Sequence, residues 1–211
     1  MIKRILILFA IAQLSMMGYS QTPKWAEKAK KAVFSVVTYD ANDKILNTGN
    51  GFFISEKGVA ISDYALFKNA QRAVIITSEG EKMPVKAILG ANDMYDVVKF
   101  SVDITSKKVA NLTLSESPMA EGTKLWLLPY STQKVRSLTS GNVNSVDKIS
   151  DYAYYTINLP LKEKMVSCPL MNDEGLVVAL AQKASGQDTA TICYGVDARF
   201  ANSQEITAIS Y

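Results

Sequence analysis

From residue 32 to residue 102 the chain is a succession of short β-forming runs. "AVFSVVTYD" (32–40), "GNGFFIS" (49–55), "GVAISDY" (58–64), "RAVIITS" (72–78), "MPVKAILG" (83–90) and "DVVKFSV" (96–102) are rich in β-branched and aromatic side chains and have strand length. The breaks between them, such as "YDANDK", "SEKG", "SEGEK" and "GANDMYD", supply the Gly, Asn and Asp that tolerate tight backbone turns. Six strands in about seventy residues is the rhythm of a small antiparallel barrel. A polar stretch follows, and the rhythm resumes at 123–130, 135–146, 152–159, 166–172, 176–183 and 190–198. No long helical periodicity alternates with these runs, which argues against a parallel α/β sheet. The expected fold is therefore all-β, with two six-stranded antiparallel barrels. A short helix and the first barrel occupy 21–104, a linker 105–122, and the second barrel 123–211, closing in a short helix over "RFANSQEITAISY".

Residues 1–20 stand outside this scheme. Lys3 and Arg4 precede an apolar run over 5–14, shorter than the ~20 residues a membrane-spanning helix needs. Gly18 and Ser20 then provide small residues before a cut at Gln21. This pattern predicts a cleaved export signal, a periplasmic or extracellular destination, and no stable membrane span after cleavage. Lys24, Lys28 and Lys31 share one face of the helix expected to begin near Thr22-Pro23, and read as a solvated face.

Without residues 1–20 the chain carries 21 basic and 20 acidic residues, which gives no electrostatic case for nucleic acid. Histidine is absent altogether. That excludes Ser-His-Asp and Cys-His catalysis and most zinc sites, and no metal or other cofactor is expected. The two cysteines, Cys168 and Cys193, lie 25 residues apart and could pair or stay as small buried side chains. Tyr152, Tyr154, Tyr155 and Trp126 read as core or cross-strand residues.

Several segments, in order, resemble the bacterial HtrA/Deg branch of the trypsin-like serine proteases. "NTGNGFFISEKGVAISDYALFKNA" is similar to that branch's Gly-Ser-Gly-Phe strand, hairpin and histidine segment. "EGEKMPVKAILGANDMYDVVKF" is similar to the hairpin and loop that supply its aspartate. "SLTSGNVNSV" resembles its Thr-x-Gly-x-Val-Ser strand, and "YTINLPLKEKMVSCPLMNDEGLVVAL" the Gly-Asn-Ser-Gly-Gly-Pro-Leu segment carrying the nucleophile. The resemblance implies a double barrel and places the catalytic triad on Ala65, Asp96 and Val166. Asp96 follows Ala65 by 31 residues and Val166 follows Asp96 by 70. It implies a former nucleophile loop at Lys164, Met165, Ser167 and Cys168, where substrate would bind. Ser167 and Cys168 fall where the family has two glycines. Strand alternation would point Ser167 away from the attacking position.

Of the three catalytic parts, the acid alone remains. Alanine accepts no proton and valine has none to give. Lys164 replaces a glycine at the bend that would aim backbone N–H groups at an oxyanion, an interaction worth about 3 to 4 kcal/mol in related chemistry. The expected function is an exported, inactive protease homologue that binds an extended peptide or protein partner in the cleft between the barrels. Two alternatives remain at this level. Ser167 or Cys168 could act with Lys162 or Lys164 as a dyad, or the cleft could be filled and the domain purely structural. Asp96 is expected to accept hydrogen bonds from backbone N–H groups or from a hydroxyl such as Ser62 or Tyr64.

Overall fold

β1 (Val33–Tyr39) lies between β2 (Ile45–Phe53) and β4 (Arg72–Ile76), antiparallel to both. The computed structural model describes residues 22–183 and 191–202. β3 (Val59–Ser62), β5 (Lys82–Asn92) and β6 (Val97–Val102) complete a closed barrel in the order β1-β2-β3-β6-β5-β4. A second closed barrel runs β10-β11-β12-β9-β8-β7. Its strands are β7 (Lys124–Leu127), β8 (Thr139–Ile149), β9 (Tyr152–Asn158), β10 (Pro169–Met171), β11 (Val177–Lys183) and β12 (Cys193–Asp197). Two closed six-stranded antiparallel barrels are the architecture expected from the sequence.

Each barrel is filled by its own apolar side chains. Phe34, Phe53 and Phe100 pack edge to face in the first, with Phe34 and Phe53 centroids 4.7 Å apart. Leu125, Tyr155, Ile157, Leu170, Cys168 and Cys193 fill the second. Both thiols are free and buried, which settles the open question of pairing. Tyr155 is fully buried, and its hydroxyl accepts the Met119 N–H at 3.1 Å, so the polar atom is not stranded in the core. A third cluster joins the barrels: Phe52 and Ile61 from the first meet Trp126, Leu128, Met171 and Leu180 from the second. Burying a large apolar side chain contributes about 2 kcal/mol, so this cluster is a substantial weld.

The N-terminal helix, α1 (Ala26–Ala29), is shorter and later than expected. Thr22 does not cap it, because its hydroxyl donates to Arg136 O at 2.6 Å. Trp25 occupies the cap position, and its indole N–H reaches Asp173 O at 3.1 Å. The closing helix is a 3-10 segment, Ala198–Asn202, and residues 203–211 lie outside the described residues. So does the expected export signal. No helix among the described residues is long and apolar enough to cross a membrane. The polar stretch between barrels runs extended over the surface. Leu112 N–H donates to Phe53 O, and Leu114 bridges Val177 in parallel.

Candidate functional site at the seam between the barrels

β3 ends at Ser62, and a 3-10 turn, Tyr64–Leu66, carries Ala65 into solvent. The loop between β5 and β6 brings Asp96 to the same turn. Asp96 Oδ1 accepts the Ala65 N–H at 2.6 Å, while the Tyr64 N–H donates to the Asp96 carbonyl at 3.3 Å. The donor is therefore backbone, as expected of this carboxyl. Ser62 does not serve it: its hydroxyl donates to Asn50 O at 2.6 Å. Partial burial raises the Asp96 pKa, and the Ala65 N–H and the Lys68 ammonium oppose that rise.

On the other barrel, Glu163–Met165 form a 3-10 turn that leads through Val166 and Ser167 into β10. Residues 166–168 were expected to be strand, but β10 begins only at Pro169. Ser167 adopts a left-handed conformation, φ 65°, which reverses the chain there. Its side chain faces inward because of this turn, not because of strand alternation. Both Ser167 and Cys168 are fully buried, at 0% exposure. Of the four loop residues expected to meet substrate, only Lys164 and Met165 reach the surface, and Met165 also packs on the second core.

The amides at the end of this turn point back into it. Val166 N–H points back to Glu163 O at 3.4 Å and Met165 N–H to Lys162 O at 2.8 Å. The carbonyls of Lys164 and Val166 instead face the first barrel, where the buried Asn50 Nδ2 donates to both, at 2.9 and 2.8 Å. Two carbonyl acceptors fix the amide orientation, since only the NH2 end can donate. Asn50 can sit there because Gly51 beside it leaves room: a Cβ at 51 would lie 2.8 Å from Ile61 O.

A reciprocal contact runs the other way. Gln182, on β11, donates through Nε2 to Tyr95 O at 3.0 Å and to Asp96 O at 3.4 Å. Outside, Lys183 Nζ meets Glu163 Oε1 at 3.1 Å, an exposed pair that ties the 163–165 turn to β11. Between these contacts lies Asp63, only 4% exposed. Burial pushes its pKa up to about 7; the Asp96 charge adds to the rise, and Ser167 and Gln182 oppose it. Neither Asp63 Oδ1 nor Ser167 Oγ has a hydrogen-bond partner among the described residues.

A cleft of about 310 Å³ opens beside Asn50, lined by Ser35, Thr48, Gly49, Tyr130, Glu163 and Lys164. A family model for trypsin-like peptidase domains matches residues 49–180, from the strand bearing Asn50 into β11. The chain belongs to the trypsin-like peptidase family. The fold is shared with solved proteases at low identity. The active form of the Rv3671c protease from M. tuberculosis aligns at 16% identity, with a TM-score of 0.69, over 90% of this chain and 89% of that one. A serine endoprotease from Yersinia pestis aligns at 15% identity, with a TM-score of 0.70, over 88% of this chain and 65% of its own length. This chain thus spans slightly less than two thirds of the Yersinia protein. A search of curated proteins finds no match.

Within the trypsin-like frame, the structure gathers the regions of Ala65, Asp96 and Val166 around one seam, but the side-chain hydrogen bonds across it are made by Asn50 and Gln182, with Asp63 buried beside them. None of these three stood out in the sequence. Asn50 was visible as a departure, since the resemblance has Ser between the two glycines. Asp63 was visible as an acid at the end of an otherwise apolar strand. Gln182 carried no signal. The dyad alternative finds no geometric support: it needs a desolvated lysine beside an accessible hydroxyl, whereas Lys162 and Lys164 are exposed and Ser167 is buried. Cys168 is no better placed, as burial pushes its thiol up to about 12.

Proposed function

We propose that this trypsin-like domain is exported, does not hydrolyse peptides, and binds an extended peptide or protein segment in the cleft beside Asn50. The observation that carries this reading is the pair of bonds from Asn50 Nδ2 to Lys164 O and Val166 O. The Met165 and Val166 N–H groups of the turn are already taken by Lys162 O and Glu163 O, and the Lys164 and Val166 carbonyls are held by Asn50, an arrangement poorly suited to receive an oxyanion. At position 65 a methyl group replaces the proton acceptor, so no side chain there can take a proton.

Binding needs less. β2 pairs with β3 only over Gly51–Phe53, so its Ile45–Asn50 portion has no β3 partner on that side. Thr48, Gly49 and Asn50 of this portion line the cleft. An extended peptide can use such an edge for main-chain hydrogen bonds without any nucleophile. The exposed Glu163 and Lys164 supply both charge signs at the rim.

The test has two arms on the purified chain. Incubation with unstructured protein and a serine-directed covalent probe is expected to give neither turnover nor labelling. Titration with an extended-peptide library, followed by NMR, is expected to shift the amides of Thr48, Gly49 and Lys164. Turnover abolished by Ser167→Ala would overturn the first half, and a library with no binder the second.

A further inference from the structure

We propose that the cavity beside the linker is a second peptide-binding site, one that takes an extended, basic segment of a partner protein as a strand added alongside Leu114. The cavity has a volume of about 640 Å³, the size of an ordinary ligand pocket, and none of its lining residues lines the cleft beside Asn50. It is walled by Ile54 of the first barrel, the 111–116 part of the linker, Asp151 and Tyr152 at the β8–β9 turn, and Arg199 and Asn202 of the closing 3-10 segment.

One edge of the linker is already paired. Val177 N–H donates to Thr113 O at 2.9 Å and Ser115 N–H to Val177 O at 2.7 Å, so residues 113 and 115 turn their main-chain groups toward β11. Neighbouring residues of an extended chain present these groups to opposite sides. Leu112 therefore faces the other way, and its N–H donates to Phe53 O at 2.9 Å. Leu114 shares that side, but β2 has ended at Phe53. Neither the N–H nor the carbonyl of Leu114 has a hydrogen-bond partner among the described residues. The result is a short open strand edge lining a cavity, to which an extended peptide can add through main-chain bonds.

Side chains set the chemistry of the occupant. Ile54, Leu112 and Leu114 belong to the apolar cluster that joins the barrels. The cation in the lining, Arg199, is already matched: its Nε lies 3.0 and 3.1 Å from the two Asp197 oxygens, and its Nη2 donates to Asp197 Oδ2 at 2.6 Å and Asp151 O at 2.8 Å. Glu116 and Asp151 are exposed, and neither carboxylate forms an ion pair or a hydrogen bond among the described residues. Two uncompensated negative charges thus border an apolar surface. A strand alternating lysine or arginine with apolar residues complements both, since its successive side chains face opposite ways. The exposed carboxylates select the partner and make its binding salt-dependent, while the open edge supplies the main-chain bonds.

The probe is an acetylated Lys-Val-Lys-Val-Lys-Val-Lys peptide, titrated into the intact chain at low and at physiological ionic strength and followed by amide NMR. Shifts of the Leu114 and Glu116 amides are expected, with tighter binding at low salt and none by the peptide carrying Glu in place of Lys. Glu116→Lys and Asp151→Lys should each weaken binding by roughly fivefold. Methylating alternate peptide nitrogens should abolish binding in one of the two phases, because only alternate N–H groups of an added strand face the linker.

The absence of any shift up to the solubility limit of the peptide overturns the proposal. So do shifts confined to Thr48, Gly49 and Lys164, which would put the peptide in the cleft, and unchanged affinity in both charge variants. Equal binding by the Glu peptide, or by both methylated peptides, also overturns it, and these two controls leave the protein unaltered.

Discussion

The Ala65 amide lies 2.6 Å from Asp96 Oδ1, so this carboxyl is engaged by the backbone of the turn that follows β3. Asp96 also has φ 52°, a conformation Asn tolerates and Ala does not. Asp96→Asn keeps both the acceptor oxygen and the backbone preference, and is expected to change stability by under about 0.5 kcal/mol. Asp96→Ala loses both and should cost about 1 to 2 kcal/mol. Urea unfolding of the two variants separates these outcomes; equal losses would mean that the charge itself matters.

Asn50 gives a prediction with an unusual sign. Asn50→Ala leaves two carbonyls without a donor and should cost about 1 to 3 kcal/mol. Asn50→Asp is more disruptive at pH 8, because a carboxylate oxygen then faces Lys164 O and Val166 O. At pH 5 the Asp variant should recover part of the loss, since a protonated carboxyl can donate to one of them. Thermal unfolding at the two pH values checks the order.

Asp63 makes global stability depend on pH. Its folded pKa of about 7 lies above the ordinary 3.8, so the folded chain holds a proton that the unfolded chain has already released between these values. The stabilisation is complete below about 3.8 and is lost as pH rises through about 7, by on the order of 4 kcal/mol in total. Comparing wild type with Asp63→Asn by denaturant titration across this range isolates the contribution. A difference that grew with pH in the opposite sense would refute it.

The two thiols should be inert while the chain is folded. Burial pushes both Cys168 and Cys193 up to about 12, leaving little thiolate near neutrality. An aromatic disulfide reagent at pH 8 is expected to label neither in the native protein and both in guanidinium. Prompt native labelling would show that the second barrel opens.

The barrels were legible because their strands are short, β-branched and separated by turn residues, a pattern that survives without any site. β1, β6 and β9 fall within a residue or two of the sequence expectation. The misplaced boundaries have local causes. "VSC" looks like strand by composition, but Ser167 takes a positive φ where the resemblance has glycine, and sequence does not show a serine held there by its surroundings. Thr22-Pro23 looks like a helix start, but its hydroxyl is drawn to Arg136 O, which lies 114 residues away in the chain. The regions of Ala65, Asp96 and Val166 could be singled out by resemblance. Asn50, Asp63 and Gln182 could not, because their roles arise only when one barrel meets the other.

The seam has one further property. Asn50 reaches from the first barrel to main-chain oxygens of the second, and Gln182 from the second to main-chain oxygens of the first. Every acceptor in this handshake is a peptide carbonyl, present whatever side chain its residue carries. Neither contact therefore depends on which side chains Tyr95, Asp96, Lys164 and Val166 carry, and two carboxamides keep the halves in register.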